Sequence, residues 1–473
     1  MPHAAAAPAP SPQEAYARWL GACTGAGWPG ALAAEQVPVA EGLGRVTAAE
    51  VRARWPVPRS ACAAMDGIAI AARSVAALAN APGPARLESS SFAWVDTGDP
   101  IPAGLDTVVE RERVQLGADG SAAITGPVPP GLHVRAEGED FPAGQLLIPA
   151  GHRLRPVDLA AAAAAGYAAL EVSRRPVVAI IPTGDEVRPA GTALRPGEVT
   201  DSNSLMLAAR ATESGAQILV SGVQPDQPDV IAAAVTGAAR TADLVLVIAG
   251  SSAGRRDHTA DVLARVGGLA VRGVAVRPGH PVLLGHAAVS RVQAAREQAD
   301  QGPSRADRVG AGRADSEGAG PAGAIVPVIG VPGYPLAAAV IFELFAAPLL
   351  AALQGGPPPG RAAAWAQLAC DWTSSADVED WVPVSLAPAP GEPDADPALV
   401  ATPGRGGASA ISRFMRADAW WRIPVGQAKF VRGERIAVHP IPGARPGRPL
   451  TPDTTPTPDT TPTPDTTPTP DTP

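Results

Sequence analysis

Residues 177–186 read VVAIIPTGDE, an apolar run that ends abruptly in polar residues. Such a run is typical of a strand that is buried on both faces of a parallel sheet. In open α/β sheets, ligands bind beyond the carboxyl ends of the strands. The sequence therefore predicts that the chemistry of this chain lies at the turn formed by residues 182–186.

The chain around this run alternates apolar strand patterns with helical patterns. We predict strands at 177–181, 218–220, 244–248, 269–276 and 324–329. We predict helices at 203–214, 229–240 and 259–266, and a further helix from Leu336. Repeated βα units of this length imply a parallel, doubly wound sheet with right-handed crossovers. The predicted α/β domain spans 175–355.

The sequence patterns outside the α/β domain indicate other kinds of structure. Helical spacing with Gly and Pro punctuation at 12–56 and 141–174 indicates a helical layer, and short apolar runs between turn residues at 57–140 indicate an inserted β module. Strand-like runs at 361–442 indicate a second β module. Residues 290–323 have no apolar periodicity, and 443–473 repeat TPDTTP, so we predict both segments to be disordered.

Length and charge restrict the class of protein. The 473 residues exceed one ordinary core, so we expect three or four domains. The net charge of -8, without any Lys/Arg-dense stripe, argues against a nucleic-acid partner. Any bound anion must be held locally, by a few arginines and by backbone donors.

Several features bear on the compartment. Cys23, Cys62 and Cys370 lack the paired spacing of zinc or redox sites and indicate a reducing compartment. The first 14 residues lack the pattern of a signal peptide, so we expect a cytoplasmic protein. The apolar segments 157–172 and 336–353 fit buried helices better than membrane spans, and no membrane span is predicted.

Three segments of the α/β domain place polar groups directly after a strand. They are residues 183–186, residues 249–257 with the letters AGSSAGRRD, and residues 330–335 with the letters GVPGYP. Their glycines let the backbone approach a ligand, and turn N–H groups and helix N-termini offer donors to an anion. The pattern suits a small molecule that carries phosphate.

Four carboxylates of this region, Asp185, Glu186, Asp201 and Asp257, are hard oxygen ligands of the kind that Mg²⁺ prefers. A simpler interpretation also holds for some of them, because Asp201 or Ser202 would cap the helix at 203 and Asp257 the helix at 259.

Charged groups elsewhere leave similar alternatives open. Arg277 and His280, in the motif VRPGHP, would meet an oxyanion or remain surface charges. Acidic residues also lie beside glycines at 63–67, 97–99 and 138–140, where they suit either a site or an ordinary turn.

Taken together, these motifs resemble the molybdopterin molybdenumtransferase family, which includes the E domain of gephyrin, over roughly residues 12–442. The motifs that carry the resemblance occur in the family's order: AMDG at 64–67, TGDPIPAG at 97–104, EGEDFPAGQLLIPAG at 137–151, PTGDE at 182–186, the segment 201–203, AGSSAGRRDHT at 249–259, RPGHP at 277–281 and GVPGYP at 330–335.

The resemblance implies a multidomain fold and an oligomer. It implies an elongated homodimer whose four domains are a helical linker domain, a β domain inserted in it, a doubly wound molybdopterin-binding domain and a C-terminal β-barrel. It also implies a reaction, in which adenylylated molybdopterin and molybdate are the substrates and Mg²⁺-assisted loss of AMP accompanies molybdenum insertion. Molybdoenzymes or other cofactor-biosynthesis proteins are the implied protein partners.

The same resemblance assigns roles to individual residues. It implies that Asp185, Glu186 and Asp257 hold Mg²⁺ or the pterin nucleotide. The catalytic residues it implies are Asp66, Asp140, Asp185 and Asp257. It assigns substrate binding to Thr97, Thr183, Gly184, Ser202, Gly250, Ser252, Gly254, Arg277, His280, Pro332, Gly333, Ser409 and Ser412. Of these, Asp66, Thr97 and Asp140 would approach the site from the β domain of the partner subunit.

The chain also departs from the family pattern on the side that would bind the oxyanion. Lysines are replaced by Arg277 and His280, an asparagine by Tyr334 and a serine by Ala337, and the family's arginines near 378–383 have no counterpart. Arginine keeps the positive charge of lysine but not its compact geometry. Besides a divergent insertase, which the intact carboxylate-bearing loops favour, the sequence therefore leaves two alternatives: a non-catalytic paralogue that binds or delivers molybdopterin, or an α/β nucleotide-binding protein of unrelated chemistry.

Overall fold

The computed structural model describes residues 9–76, 84–249, 258–289, 324–357, 363–389, 399–404 and 406–444. The described residues form two units, one of 9–275 with 279–357 and the other of 276–278 with 363–444. The insertion predicted at 290–323 and nearly all of the tail predicted at 443–473 lie outside the described residues. The division into four domains stays a prediction.

The local sequence determines where the first helix, α1 (Pro12–Gly25), begins and which of its faces is buried. Ser11 and Glu14 form a capping box, in which each side chain binds the other's backbone N–H, and Pro12 occupies the first turn. Ala15, Trp19 and Cys23 follow at helical spacing and are fully buried. The helix therefore presents one apolar stripe to the first unit.

The segments predicted as a helical layer contain strands as well as helices. The 3₁₀ turn Val39–Glu41 precedes β2, and the elements in chain order are β1 (Ala34–Pro38), β2 (Val51–Arg52), β11 (Leu146–Ile148), α3 (Pro156–Ala164) and β12 (Ala169–Ser173). β1 pairs with β12 and β2 with β11, both antiparallel, so these pairs join the two chain segments. Val51, Ile148, Leu154 and Leu170 form their shared core.

The described residues between these segments are all-β apart from α2 (Ala72–Ala76) and two 3₁₀ turns, Ser89–Ser91 and Arg111–Arg113. Its strands are β3 (Cys62–Ala63), β4 (Gly67–Ile70), β5 (Ala85–Leu87), β6 (Phe92–Val95), β7 (Thr107–Glu110), β8 (Val114–Leu116), β9 (Ala122–Ile124) and β10 (Val134–Arg135). They form the antiparallel sheets β6-β4-β7 and β5-β9-β8 and the pair β3-β10. Ile68, Ile70 and Val109 are buried between them.

A six-stranded sheet organises the α/β region, with the order β16-β13-β17-β21-β20-β18. Its strands are β13 (Val177–Pro182), β16 (Gln217–Val220), β17 (Leu244–Ala249), β18 (Gly267–Arg272), β20 (Leu283–Val289) and β21 (Ala324–Pro332), and the short pair β14 (Val187–Arg188) and β15 (Val199–Thr200) stands apart. The first four strands in the order are parallel, whereas β20 and β18 are antiparallel to their neighbours. The sheet is therefore mixed, where the sequence predicted it to be parallel.

Helices cover both faces of this sheet, as the doubly wound prediction requires. They are α4 (Asn203–Glu213), α5 (Pro228–Ala238), α6 (Thr259–Val266) and α7 (Pro335–Ile341), the last continued by a π-helical turn (Phe342–Ala346) and α8 (Ala347–Leu353). α5 packs with α6, and α4 packs with α7. Because both faces are covered, the central strands β13 and β17 are buried nearly throughout.

The prediction of one strand at 269–276 is wrong in detail. β18 ends at Arg272, and Gly273 turns the chain with a φ of 76°. Val276–Arg277 then form a separate short strand, β19, which pairs with the strand β24 (Glu379–Pro388) of the second unit. The apolar run at 269–276, which Gly273 interrupts, therefore contributes to two separate strands, β18 and β19.

The second unit contains a closed barrel of five strands. Besides β24 they are β22 (Ala364–Leu368), β25 (Leu399–Pro403), β26 (Ala419–Ile423) and β28 (Arg435–Pro440). β24 pairs with both β25 and β26, and this double pairing closes the ring. The short pair β23 (Trp372–Thr373) and β27 (Lys429–Phe430) and the helix α9 (Ile411–Met415) complete the unit. The C-terminal β-barrel of the predicted fold class is thus confirmed.

Among the described residues, one helical stretch, Pro335–Leu353, is long and apolar enough to cross a membrane by length and composition. It is mostly buried in the structure, where it packs against β21 and α4. Trp19 of α1 packs edge-on against Phe345 of this stretch, and its indole N–H donates to the Gly285 carbonyl at 2.7 Å. One tryptophan thus joins α1, the apolar helix and β20.

We expect Trp19→Ala to lower the free energy of unfolding of the first unit by about 3–5 kcal/mol, because it opens a cavity in the core. Urea denaturation followed by circular dichroism measures the change. Trp94→Ala is the control, since Trp94 is 49% exposed, and it is expected to shift the midpoint much less. Equal shifts for the two variants would contradict the role given to Trp19.

Candidate functional site

The PTGDE turn is fixed to the neighbouring strand. Thr183 is buried, and both its backbone N–H and its hydroxyl donate to the carbonyl of Ile248, at 2.9 and 3.0 Å. Ile248 lies near the carboxyl end of β17, opposite Pro182 of β13. The Thr183 hydroxyl, predicted to bind substrate, is therefore committed to holding the turn against the sheet.

Gly184 gives the turn its shape. Its φ is 138°, its N–H donates to the Gln224 carbonyl at 3.1 Å, and its carbonyl accepts from Val187 at 3.1 Å. A Cβ at this position would lie 2.6 Å from the Val187 side chain, so only glycine fits. The tight turn leaves Asp185 and Glu186 exposed at its tip.

Asp226 is a carboxylate of this site that the sequence reasoning missed. It lies on the loop between β16 and α5, and its backbone N–H donates to Asp185 Oδ1 at 3.2 Å. Partial burial raises the pKa of Asp226, and the negative charges of Glu186 and Asp185 raise it further, against the opposing effects of a hydrogen bond from the Asp185 backbone and of His258. Three acidic side chains therefore share one corner of the sheet. Because β16 is parallel to β13, the loop that follows β16 lies at the same edge of the sheet as the PTGDE turn, and this rule could have identified Asp226 from the sequence.

The described residues contain no group of three or more His, Cys, Asp or Glu side chains arranged to hold a metal ion. The loop after β17 lies outside the described residues, and with it four predicted site residues: Gly250, Ser252, Gly254 and Asp257. The predicted Mg²⁺ ligand set therefore stays a prediction. The like-charge repulsion at Asp226 nevertheless fits a corner that a cation would stabilise.

The turn after β21 reaches the same edge of the sheet. Pro332 lies opposite Ala249 at the carboxyl end of β17, and Gly333 and the exposed Tyr334 follow it. The buried side chain of Asn203 donates from Nδ2 to the Gly333 carbonyl at 2.7 Å, and its Oδ1 has no partner among the described residues. Asn203, at the start of α4, thus positions a predicted binding turn, a role that the sequence reasoning also missed.

Asp201 caps α4, as the simpler interpretation of the sequence proposed. Its Oδ1 accepts from the backbone N–H of Ser204 at 3.0 Å. Ser202 makes no capping bond and is only partly exposed. The hydroxyl of Ser202 is therefore not needed to begin the helix.

The residues predicted to bind the oxyanion lie in both units. In the first, His280 Nδ1 lies 2.7 Å from the Val274 carbonyl. Because a carbonyl only accepts, Nδ1 carries the proton, and Nε2 of the neutral ring is an acceptor. Neutral His280 consequently has no ring N–H to offer to an anion.

Arg277, in the second unit, is paired within the barrel. Its guanidinium donates to both oxygens of Asp380, from Nε at 3.3 Å and from Nη2, and this pairing raises the pKa of Arg277. Ser409 and Ser412 lie in the segment before and within α9, and both are exposed. Neither hydroxyl has a hydrogen-bond partner among the residues that the structure describes.

Two further predicted residues meet in the β module. Asp66 Oδ1 accepts from the hydroxyl and the backbone N–H of Thr97, both at 2.7 Å. These bonds lower the pKa of Asp66, so the exposed carboxylate stays ionised. Asp140 is also exposed, and its backbone N–H donates to the Val57 carbonyl at 3.0 Å.

Comparison with known proteins gives matches along most of the chain. Three family descriptions match: "MoeA N-terminal region (domain I and II)" at 11–166, "Probable molybdopterin binding domain" at 179–352 and "MoeA C-terminal region (domain IV)" at 365–441. Their order follows the chain without overlap.

Individual proteins agree with these matches. Molybdopterin molybdenumtransferase 2 of Mycobacterium tuberculosis is 30% identical over 359 residues, which cover 72% of this chain and 80% of the relative. The molybdopterin molybdenumtransferase of Nostoc is 32% identical over 258 residues, which cover 51% of this chain and 59% of the relative. The solved structure of the molybdopterin biosynthesis MoeA protein from Pyrococcus horikoshii is similar with a TM-score of 0.70 at 26% identity, covering 91% of this chain and 98% of that chain.

We expect Gly184→Ala to destabilise the fold by about 1–3 kcal/mol, because the new Cβ overlaps Val187 and the backbone conformation is strained for alanine. Gly191→Ala is the matched control, since its φ is also positive but no atom lies within 4 Å of the new Cβ. Thermal unfolding of both variants measures the difference, and equal midpoints would contradict the steric argument.

We expect Asp226→Asn to raise the thermal midpoint in the absence of divalent cations. A carboxyl whose pKa is raised on folding stabilises the protein below that pKa, and this contribution is lost as the pH rises through it. The gain of the variant over wild type should therefore be larger at pH 7 than at pH 4. Asp229→Asn is the control, because Asp229 is exposed and pairs with Arg265 on the surface. A lower midpoint for Asp226→Asn at pH 7 would refute the repulsion.

Proposed function

Because the chain belongs to the MoeA family of molybdopterin molybdenumtransferases, we propose that it inserts molybdate into adenylylated molybdopterin and releases AMP. The chain is thus a transferase of molybdenum cofactor biosynthesis. The finer proposal concerns the form of the substrate, the leaving group and the residues that act.

The observation that carries the proposal is the shared edge of the parallel strands. Asp185, Glu186 and Asp226 lie at one corner of it, and the Gly333 turn, held by Asn203, lies at the same edge. A glycine turn beside acidic groups suits a substrate that carries phosphate together with a cation. This chemistry agrees with a nucleotide-linked pterin.

The acidic corner is the proposed place of Mg²⁺. Asp185 and Glu186 would hold the ion, with Asp257 as predicted from the sequence and Asp226 as a further carboxylate. Bound there, Mg²⁺ supplies the neutralisation of charge on the substrate's phosphate groups. Burial, and after it the charges of Glu186 and Asp185, raise the pKa of Asp226, and this supports the assignment because a cation would favour the ionised carboxylate.

The chain's own groups then act by positioning. Thr183 and Gly184 fix the turn that carries Asp185 and Glu186, so the carboxylates need little reorganisation when the substrate binds. Asn203 fixes the Gly333 turn through its carbonyl. The carboxylates also repel a phosphate-bearing substrate that arrives without a cation, so binding and metal loading are expected to be coupled.

The β-module residues are proposed to serve a second subunit. Asp66 and Thr97 form an exposed, hydrogen-bonded pair with an ionised carboxylate, and Asp140 is exposed as well. We propose that in a homodimer they approach the site of the partner subunit. A cytoplasmic location, and protein partners that receive the finished cofactor, belong to the same proposal.

One observation favours a second candidate, a paralogue that binds or delivers molybdopterin without inserting the metal. Asp380 occupies two N–H donors of Arg277, and the one ring N–H of neutral His280 donates to the Val274 carbonyl, so fewer donors are left for an anion. Tight molybdopterin binding without Mg²⁺-dependent AMP release would identify this paralogue.

We expect Asp185→Ala and Glu186→Ala each to lower the rate of AMP release about 10²-fold or more, because each removes charge placed at the phosphate groups. The assay supplies adenylylated molybdopterin, molybdate and Mg²⁺ to the full chain, and circular dichroism checks the fold. Asp229→Asn is the control and should keep the wild-type rate.

The assay also discriminates between the candidates. No AMP release and no active cofactor from the wild-type chain would overturn the insertase proposal. If molybdopterin still bound tightly, the delivery paralogue would replace it. Affinity for ordinary nucleotides with none for molybdopterin would overturn both.

A further inference from the structure

An aromatic ring and a cation lie side by side on the outer face of the barrel. Trp365 of β22 is 54% exposed, and the guanidinium of Arg435 of β28 stacks over its indole, 4.6 Å from the ring centroid. The next residues along these strands, Ala366 and Ile436, are buried in the barrel core. Because side chains alternate along a strand, Trp365 and Arg435 point outward. We call this pair the Trp365–Arg435 platform.

The guanidinium of the platform keeps its hydrogen-bond donors. Stacking uses the face of a guanidinium and leaves the N–H groups at its edge available. No carboxylate pairs with Arg435 among the residues that the structure describes, and its neighbour Glu434 accepts from the Val431 N–H at 3.0 Å. Arg422 of the same barrel differs, because it donates to both oxygens of Glu379. Arg435 can therefore bind a carboxylate while it stays stacked on the indole.

The described chain ends close to the platform. Trp365 lies opposite Ala437, three residues before β28 ends at Pro440, a distance of about 10 Å along a strand. In the turn that follows, the Ala444 N–H donates to the Ile441 carbonyl at 3.1 Å, and Gly443 has a φ of 79°. A central Pro-Gly pair with this φ is typical of a type II turn. The turn reverses the chain, so the described part ends directed back along β28.

The sequence after this turn carries acidic groups and prolines in a regular pattern. Residues 451–473 repeat TPDTTP and contain four aspartates but no Lys, Arg or His. Proline at this density favours the polyproline II helix, which has three residues per turn and a rise of about 3.1 Å per residue. In that form every third residue shares a face, so Asp453, Pro456, Asp459 and Pro462 would alternate about 9 Å apart. Asp465, Pro468 and Asp471 continue the same face.

This face of the tail complements the platform. Aromatic side chains bind proline-rich segments because the polyproline II form is already extended and loses little entropy on binding. The proline rings suit the exposed indole, and the carboxylates suit the unpaired guanidinium beside it. Residues 445–450 can span about 20 Å when extended, which exceeds the roughly 10 Å from the end of β28 to the platform. The tail is therefore long enough to reach Trp365 and Arg435.

We propose that residues 451–473 dock in polyproline II form on the Trp365–Arg435 platform of the same chain, with a proline on the indole and an aspartate at the guanidinium. One aromatic contact and one ion pair bind weakly, but a short tether gives an effective concentration in the mM range. An intrinsic dissociation constant of about 1 mM then leaves about half of the molecules docked. The docking does not depend on the transferase reaction.

Fluorine NMR of the full chain labelled with 5-fluorotryptophan tests the proposal. Trp365→Phe and Trp94→Phe assign the two signals by their loss, and a soluble gadolinium chelate broadens the signals of accessible rings. Trp94 is the internal reference, because it is 49% exposed and lies in the β module, away from the barrel. We expect the broadening of Trp365 to be about half that of Trp94, since a docked tail excludes the chelate.

Two variants remove the charge pairing and should each raise the broadening of Trp365 to the level of Trp94. One replaces the four tail aspartates by asparagine, and its matched control replaces Thr454, Thr460, Thr466 and Thr472, which would lie on a different face. The other is Arg435→Gln, whose control is Lys429→Gln, an exposed cation of the same barrel. Both controls should keep the wild-type broadening, and thermal unfolding checks that every variant folds.

The outcomes separate docking within one chain from its alternatives. Equal broadening of Trp365 and Trp94 in the wild type overturns the proposal. Protection of Trp365 that survives both the aspartate replacement and Arg435→Gln overturns it as well. Protection that disappears on dilution assigns the platform to the tail of a second copy and overturns docking within one chain, whereas protection that is independent of protein concentration supports it.

Discussion

The parallel register of β13, β17 and β21 is the constraint on which the site depends. Pro182 lies opposite Ile248, and Ala249 lies opposite Pro332, so the three strands end at one line across the sheet. Each strand then delivers its turn to that line. The Thr183 bonds to Ile248 and the Asn203 bond to Gly333 fix two of these turns, so the geometry of the site follows from the pairing of the strands.

The acidic corner has a cost that the fold tolerates. Partial burial raises the pKa of Asp226, and the negative charges of Glu186 and Asp185 raise it further. A carboxylate whose pKa is raised by burial and by like charges is a candidate for a functional site.

The parts of the fold that depend on a local sequence pattern could be predicted from the sequence. β13 and β17 are buried on both faces, so an unbroken apolar run identifies them, and the helix predicted at 259–266 matches α6. The antiparallel β20 was missed because its direction depends on pairing with β21, which is distant in sequence. Asp226 and Asn203 were missed because their roles come from partners in other elements. Likewise, Arg277 looked free until β19 was found to pair with β24, about a hundred residues later.

That two-residue strand, β19, makes the barrel discontinuous in sequence. Val276 and Arg277 pair with Glu379 and Asp380, yet the chain between them returns to the α/β sheet for β20 and β21. A ribosome must therefore release residues 276–277 long before their partner strand exists, and the segment waits unpaired during synthesis. A protein fragment that begins after residue 361 would lack β19. It would also lack the Arg277 guanidinium, which pairs with the buried Asp380.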